Sequence, residues 1–335
     1  MNKKWWMHLL AFLTICFLVS ALTGCGSKTK QTSKSKDTAV KTNVSMVKGF
    51  SSISMVNLME KNEKGKAANN YQFSVATAPD EVMSKLVTQE IDIAAVPTNM
   101  AASLYQKTKG NVVMLAVNTL GVVKVVTTDP SIKRLEDLKG KNVVGAGQGA
   151  IPEYTFNDIL AKKGLKPQQD LQISYKPGHE EVASLLSSNQ VQIATLPEPT
   201  LSQVMATNKK VRVIADLNAE WEALHPNTIM AQGCVVVTKK FLEKHPQAVT
   251  RFMKEYQASA QKVHSDLQGT STLCDKFNII PEKVAKTAIP KSHQVFVTGK
   301  EAEKKLTPFF KVLYEANPKS VGGAVPDSAF YYHPK

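Results

Sequence analysis

The sequence has few residues of the kinds that support metal or redox chemistry. Its 335 residues include four cysteines and seven histidines. The histidines are scattered, with no His-x-His or His-Glu-x-x-His spacing, so we expect no metal site. There is also no Gly-x-Ser-x-Gly element and no evident histidine partner for a nucleophile. These absences favour a binding protein over an enzyme, and we predict no cofactor.

The chain also lacks the clustered arginines that are typical of nucleic-acid-binding surfaces. Its formal net charge is +14, from 42 Lys and Arg against 28 Asp and Glu. The lysines are scattered, and Arg134, Arg212 and Arg251 each stand alone. We therefore expect no nucleic-acid partner and interpret the lysines as a solvated surface. Such a positive field would still favour anionic ligands in a cleft.

The N-terminus is built like a bacterial export signal. Lys3 and Lys4 precede a largely apolar run, 9–22, that is too short for a confident membrane-spanning helix. The four residues that end at Cys25, LTGC, resemble a lipobox, in which the Cys is acylated after cleavage. We predict a signal peptide over 1–24 and an extracytoplasmic protein that is anchored to the cell membrane by lipidated Cys25. A retained amphiphilic anchor with an incidental Cys is the alternative.

A low-complexity segment follows the lipobox. Residues 26–41 are rich in Ser, Thr and Lys and contain almost nothing to bury. This composition predicts a flexible tether over 25–41. Its lysines either contact anionic lipid or merely keep the linker solvated.

Two cysteines lie beyond Cys25. Cys234 belongs to the apolar run CVVV, which predicts a buried thiol. A Cys234–Cys274 disulfide is compatible with export, but spacing alone does not decide it.

A repeat at an offset of 100 residues organises the rest of the chain. EVMSKLVTQEIDIAAVP (81–97) aligns without a gap on EVASLLSSNQVQIATLP (181–197), with seven identities in 17 positions. Average composition would give roughly one match. A repeat of this size corresponds to a small α/β lobe, so we expect two lobes with a ligand cleft between them.

The boundaries of these lobes follow from alternating strand and helix patterns, which predict parallel sheets built from βα units. We predict a discontinuous first lobe, 42–127 plus 235–335, and a second lobe, 128–234. The chain would cross between them near 125–130 and 231–236. Two crossings restrict relative motion to a hinge.

Two glycine-containing loops lie where ligands of parallel sheets bind, outside the carboxyl ends of strands. Each opens a helix, and free N–H groups at a helix start favour an anionic group such as sulfonate, carboxylate or phosphate. The alternative is that the glycines only form tight turns. The candidate ligand-binding residues in these loops are Lys48, Gly49, Phe50, Ser51, Ser52, Gln148, Gly149 and Ala150.

The repeat places two more loops at the same level. Thr98 and Glu198 are good helix-capping residues, but in a cleft they would also bind ligand. A carboxylate at Glu198 would receive a cationic or N–H group, which would make the ligand amphoteric or ring-like. Asn99 and Asn118 are further candidates. Trp221 is a candidate for stacking on the ligand, with packing in the core as an equal alternative.

One pattern suggests a nucleotide site. GAGQGA (145–150) fits G-x-G-x-x-A, but that fingerprint also needs an acidic residue about 20 residues on, where the next strand ends. Here that strand ends in Tyr175-Lys176-Pro177. We therefore predict no NAD site.

Several motifs resemble those of bacterial extracytoplasmic solute-binding proteins of ABC importers. The resemblance covers about 44–335, in the branch that includes aliphatic-sulfonate, nitrate, taurine and thiamine-pyrimidine-precursor binders. It implies a type II periplasmic-binding-protein fold of class α/β, with two doubly wound lobes joined by a two-strand hinge. The motifs are the lipobox, the loop at Lys48-Gly49, EIDIAAVPTNMAA, DLKGKNV, LPEPT and GCVVVTKKFLEKHPQAVTRFMKEY.

The resemblance also implies a function and partners. The protein would be a monomeric, lipid-anchored subunit that captures a small anionic or amphoteric solute, such as a sulfonate, nitrate or a pyrimidine-like compound. It would deliver the solute to an ABC permease and its ATPase. An extracellular sensing receptor or adhesin of the same fold is the alternative. A pyrimidine-synthase-like enzyme is more distant, because its cysteine-rich motif has no match here.

Overall fold

A computed structural model describes residues 39–334 of the chain. The predicted signal peptide, the predicted lipidation site Cys25 and the tether up to residue 38 lie outside this range. No helix within it is long and apolar enough to cross a membrane. The described chain forms two β-sheets with helices packed against them, and each sheet with its helices is one lobe.

The first lobe is built on a six-stranded sheet in the order β11-β4-β10-β3-β1-β2. Its strands are β1 (Lys41–Val47), β2 (Asn70–Ala76), β3 (Ile93–Pro97), β4 (Val112–Leu120), β10 (Ala231–Thr238) and β11 (Gln294–Val297). Its helices are α1 (Phe50–Ile53), α2 (Val56–Glu63), α3 (Pro79–Val87), α4 (Thr98–Lys107), α9 (Lys239–Lys244), α10 (Pro246–Ser265), α11 (Leu267–Lys276) and α12 (Glu282–Ala288).

The second lobe is built on a five-stranded sheet in the order β7-β6-β8-β5-β9. Its strands are β5 (Val123–Thr127), β6 (Asn142–Ala146), β7 (Gln172–Lys176), β8 (Ile193–Pro197) and β9 (Arg212–Asp216). Its helices are α5 (Ile151–Lys162), α6 (His179–Ser187), α7 (Thr200–Thr207) and α8 (Leu217–Leu224). Helix α13 (Gly299–Ala316) follows β11, and short 3₁₀ helices lie at Leu135–Leu138, Ile289–Lys291, Pro318–Val321 and Ser328–Phe330.

The strand directions confirm the predicted α/β class. In the first lobe β1 pairs in parallel with β2 and β3, and in the second lobe β6 pairs in parallel with β7 and β8. Strands β10 and β5 lie inside the two sheets and pair antiparallel with both of their neighbours. Alternate residues of β10 join different apolar clusters, so both faces of the first sheet are buried. Burial on both faces explains the nearly continuous apolar runs in the sequence.

The chain passes between the sheets earlier than the sequence suggested. Strand β5 belongs to the second sheet, so the first passage is the pair Gly121–Val122 rather than 125–130. The second passage lies at 225–230, because β10 already pairs in the first sheet from Ala231. The sequence concealed the first passage because the strands on both sides of Gly121–Val122 are rich in valine.

The repeat is a structural one. Helices α3 and α6 begin and end at the same offset of 100 residues, as do β3 and β8. Val82 and Val182 are both fully buried. Gln89 and Asn189, which end the two helical turns, share a left-handed backbone with φ of 60° and 59°. The two lobes therefore place equivalent strand ends toward the space between them.

Helix α13 connects the lobes instead of packing on the first alone. It contacts β4 of the first lobe and α5 of the second. Phe309 on this helix meets Trp221 edge-on, with ring centroids 5.5 Å apart. The apolar core is therefore continuous from one lobe to the other along this helix.

Both cysteines in the described range are free and buried. Burial raises the pKa of the Cys234 thiol to about 12, and also that of Cys274 to about 12. The buried-thiol interpretation of Cys234 is thus confirmed, and the two residues form no disulfide in this structure.

A buried carboxylate holds α10 against the first lobe. The side chain of Glu255 is 6% exposed. It accepts hydrogen bonds from the Tyr71 hydroxyl at 2.8 Å, the Ala68 N–H at 2.9 Å and Lys61 Nζ at 2.6 Å. A buried carboxylate without partners is costly, and here three donors satisfy its charge.

We expect Glu255→Ala to lower the free energy of unfolding by about 3 kcal/mol, because the buried Tyr71 hydroxyl loses its acceptor and two further donors, the Ala68 N–H and Lys61, lose theirs. Urea unfolding of the purified protein measures this loss. The control is Glu301→Ala, which removes an exposed i,i+4 pair with Lys305 and should cost less than about 0.5 kcal/mol. Equal losses in the two variants would contradict the role given to Glu255.

Candidate functional site

A cleft of about 430 Å³ lies between the lobes. Its volume falls within the range of about 300–1,000 Å³ that is typical of small-molecule sites. The lining combines residues of both sheets, of the loops that follow their strands and of the first interlobe passage: Val47, Lys48, Phe50, Ser51, Pro79, Pro97, Thr119, Val122, Val123, Pro152, His179, Pro197, Gln232 and Gly233.

The predicted loop after β1 lies at this cleft. Lys48, Phe50 and Ser51 line it, and Lys48 Nζ donates to Asn278 Oδ1 at 3.0 Å. Gly49 has φ of 124°, a backbone that favours glycine, and it turns the strand into α1. Ser52 is buried and its hydroxyl donates to the Val47 carbonyl, so Ser52 supports the loop instead of facing the cleft.

The floor of the cleft on this side is a buried polar chain. Asn118 is fully buried and donates from Nδ2 to the Ser51 carbonyl at 2.9 Å. The Thr119 hydroxyl donates to Asn118 Oδ1 at 3.1 Å. Gly233 is needed beside them, because a Cβ there would lie 2.8 Å from Asn118 Oδ1. Asn118 therefore positions Ser51. Its place at a strand end in the sequence was equally compatible with ligand contact.

The matching loop of the second lobe is engaged internally. Gly149 has φ of 73°, and its N–H donates to Glu153 Oε2 at 2.6 Å. Gln148 is exposed and Ala150 is half-buried at the cap of α5. None of these three predicted residues lines the cleft. The Gly149 N–H, which the sequence assigned to an anionic ligand, thus donates to a carboxylate of the same chain.

The predicted residues after β3 and β8 are mostly buried. Thr98 is fully buried, with its hydroxyl beside the Cys234 thiol, and Asn99 is half-buried. Glu198 is 3% exposed and accepts the Ser202 N–H at 3.1 Å, which is a helix-capping contact. The flanking prolines of these loops line the cleft, whereas these three residues do not.

Trp221 lies in the core. It is fully buried and stacks on the His225 ring, with centroids 3.8 Å apart and planes 13° from parallel. With Phe309 against its edge, the indole has an aromatic neighbour on more than one side. The structure therefore gives Trp221 the packing role that the sequence left as its alternative.

His179 is a cleft residue that the sequence predictions omitted. It begins α6 and lines the cleft opposite Pro79, which is its equivalent at the 100-residue offset. Its Nδ1 is buried and has no hydrogen-bond partner among residues 39–334, and the same is true of the hydroxyl of Tyr175. Burial lowers the pKa of His179 and raises that of Tyr175, so both are neutral at pH 7. The Pro79/His179 mismatch in the repeat was the signal that would have found it.

The described residues do not assemble a metal site. Within 39–334, no three or more His, Cys, Asp and Glu side chains are grouped so as to hold a metal ion. The charges at the cleft are instead the Lys48 ammonium on the first lobe and the Glu153 carboxylate beside cleft-lining Pro152 on the second.

The sequence matches a family model over residues 65–273, described as the periplasmic substrate-binding protein of a phosphonate ABC transporter. The chain belongs to this family. Membership confirms the predicted kinship with ABC-importer solute-binding proteins, and it places the chain in a family of binding proteins instead of enzymes.

Individual relatives agree with this assignment. The Bacillus subtilis binding protein YtlA is 25% identical over 218 residues, which are 63% of this chain and 62% of YtlA. An ABC transporter structure from Parabacteroides distasonis is 25% identical and covers 89% of this chain and 100% of its own, with a TM-score of 0.75. The aliphatic sulphonate binding protein SsuA of Escherichia coli, 16% identical with a TM-score of 0.69, covers 89% and 94% of the two chains and shows the same fold. The predicted periplasmic-binding fold is confirmed.

The buried imidazole of His179 gives a pH prediction. Because burial lowers its pKa, the folded protein binds fewer protons at this site than the unfolded chain. The stability that this site contributes is present above about pH 6.5 and is lost as pH falls through the lowered pKa. We expect His179→Gln to reduce the fall in Tm between pH 7.5 and pH 5.

The control is Gln148→Ala, which changes an exposed side chain of the same lobe that carries no titratable group. It should keep the wild-type slope of Tm against pH. If His179→Gln also keeps that slope, His179 is not the group that titrates.

Proposed function

We propose that the protein captures a small solute with an anionic group in the interlobe cleft and delivers it to an ABC permease powered by a cytoplasmic ATPase. The observation that carries this proposal is the cleft itself. It has the volume of a small-molecule site, and both lobes supply its walls. The family description supports the transporter role.

The charges near the cleft support an anionic or amphoteric ligand. Lys48 brings a cation to the first-lobe wall, and Ser51 brings a hydroxyl. His179, which lines the cleft, is neutral and its buried Nδ1 has no partner in the described chain, so a ligand oxygen would satisfy it. Glu153 would pair with a cationic group of the ligand, or an anionic group would displace it from Gly149.

These features favour phosphonates and sulfonates over neutral compounds. The family model is named for phosphonate, and two relatives of similar fold are SsuA proteins, one from Xanthomonas axonopodis that was solved with MOPS bound. A relative from Synechocystis binds nitrate. An ammonium-bearing phosphonate or sulfonate would use both Lys48 and Glu153.

We further propose that the protein acts as a monomer outside the cytoplasm, held at the cell membrane by acyl chains on Cys25. The LTGC sequence at Cys25 supports this anchor. A diacylglycerol-modified cysteine would keep the binding lobes close to a membrane-embedded permease without a spanning helix.

We expect thermal-shift screening to detect the ligand class. A ligand at 100 times its Kd stabilises the folded state by about 2.7 kcal/mol, which raises Tm by roughly 5 °C in a protein of this size. The panel is methylphosphonate, 2-aminoethylphosphonate, methanesulfonate, taurine, nitrate and cytosine, with sodium chloride at equal ionic strength as the control. An unchanged Tm with every phosphonate and sulfonate would contradict the proposed function.

We expect Lys48→Met to weaken binding of the ligands that raise Tm by at least about tenfold, because it removes the cation from the cleft wall. The control is Lys66→Met, which removes an exposed lysine that does not line the cleft. Isothermal titration measures both affinities. Equal affinity in the two variants would remove Lys48 from the site.

A further inference from the structure

Residues 289–294 form a segment, here named the strap, that leaves the first lobe and reaches the second. Its C-terminal end is fixed to the first sheet, where Gln294 pairs with Thr119 in the antiparallel register of β11 and β4. The His293 carbonyl accepts the Leu120 N–H at 2.9 Å. Leu120 is the last residue of β4 before the first interlobe passage, so the C-terminal end of the strap lies beside the hinge.

Lys291 of the strap contacts the start of α7 in the second lobe. Its Nζ donates to Ser202 Oγ at 3.1 Å and lies 3.9 Å from Glu198 Oε1. The Glu198 side chain is 1% exposed, whereas that of Lys291 is 44% exposed. Within the described chain, this is the ion pair that Glu198 makes. A carboxylate buried this deeply depends on its counter-charge.

His293 makes a second contact with the same lobe. Its Nε2 lies 3.3 Å from Asp216 Oδ2, at the end of β9. Lys124 also pairs with Asp216 from within the second lobe. Burial alone would raise the pKa of Asp216, but hydrogen bonds from His293 and Lys124 hold it well below its usual range. Separation of the lobes would leave Asp216 with Lys124, but would leave Glu198 without its ion-pair partner.

The strap is also connected to the ligand cleft. Gln294 is buried, donates to the Thr119 hydroxyl at 3.3 Å and accepts from the Ser54 hydroxyl at 2.9 Å. Thr119 in turn donates to Asn118, which holds the Ser51 carbonyl. Thr119 and Ser51 both line the cleft. One hydrogen-bonded chain therefore runs from the cleft wall to the strap.

We propose that the strap is an interlobe clamp: Lys291, and secondarily His293, hold the lobes in the arrangement of this structure by neutralising acids of the second lobe. Glu198, predicted from the sequence as a ligand contact, is the acceptor of this clamp. Separation of the lobes would withdraw Lys291 and leave the buried Glu198 carboxylate without its counter-charge, which is costly. Contact of a ligand with Ser51 and Thr119 would favour the same arrangement through Gln294. The clamp does not depend on which ligand is bound.

The test measures the distance between the lobes in the absence of ligand. Spin labels are placed at Glu81→Cys on α3 and Glu181→Cys on α6, which are repeat-equivalent positions with side chains that are each 48% exposed. The full chain carries Cys16→Ser and Cys25→Ser so that these thiols are not labelled. Cys234 and Cys274 are kept because they are buried. Electron–electron double resonance then gives the distance distribution.

We expect Lys291→Met to shift the ratio of long to short distances roughly threefold to tenfold toward the long distance, the range expected for a partly buried ion pair. Glu198→Gln keeps the oxygen that caps Ser202 but loses the charge, and should give a similar shift. The two changes together should shift the ratio no further than either alone, because they remove one shared interaction.

The matched control is Lys276→Met, which removes a lysine that is also 44% exposed and pairs with Glu60 and Glu63 within the first lobe. It should leave the wild-type distribution unchanged. The clamp is refuted if Lys291→Met also leaves the distribution unchanged, or if Lys276→Met shifts it as much. A wild-type distribution with the long distance alone would refute it too.

Discussion

The antiparallel pairing of β10 with β4 is the constraint on which the rest of the molecule depends. In this pairing Ala231, the first residue after the second interlobe passage, lies opposite Leu120, the last residue before the first passage. The two passages are therefore neighbours, and this restricts the relative motion of the lobes to a hinge at that place. The cleft, the buried chain at Asn118 and the strap are all arranged around the same point.

The 100-residue repeat explains why much of this was visible in the sequence. Strand ends follow from apolar periodicity, and a shared offset shows which ends face each other. The fold, the loop at Lys48 and the prolines that flank the cleft could be predicted in this way. The passage at Gly121 could not be predicted, because the strands before and after it, β4 and β5, have a similar apolar composition. Nor could the sequence show that Glu153 occupies the Gly149 N–H, since that contact depends on the geometry of one helical turn.

The two lobes differ in the charged side chains that they place at and near the cleft. The first lobe brings a lysine to the cleft, whereas the second keeps Glu153 near the cleft and Glu198 buried behind it. In the proposed function Glu153 would pair with a cationic group of the ligand, and in the proposed clamp Glu198 provides the charge that Lys291 contacts. The sequence predicted Glu198 as a ligand contact, but the structure buries it behind the cleft, where Lys291 pairs with it.

Binding stoichiometry tests the central claim most directly. Isothermal titration of the full chain with methylphosphonate, 2-aminoethylphosphonate, methanesulfonate and taurine measures how many molecules bind and whether they compete. We expect one saturable site per chain, shared by every compound that binds, because a single cleft joins the two lobes. No saturable binding by any of the four, or two compounds bound at the same time, would contradict a single interlobe site for small anionic solutes.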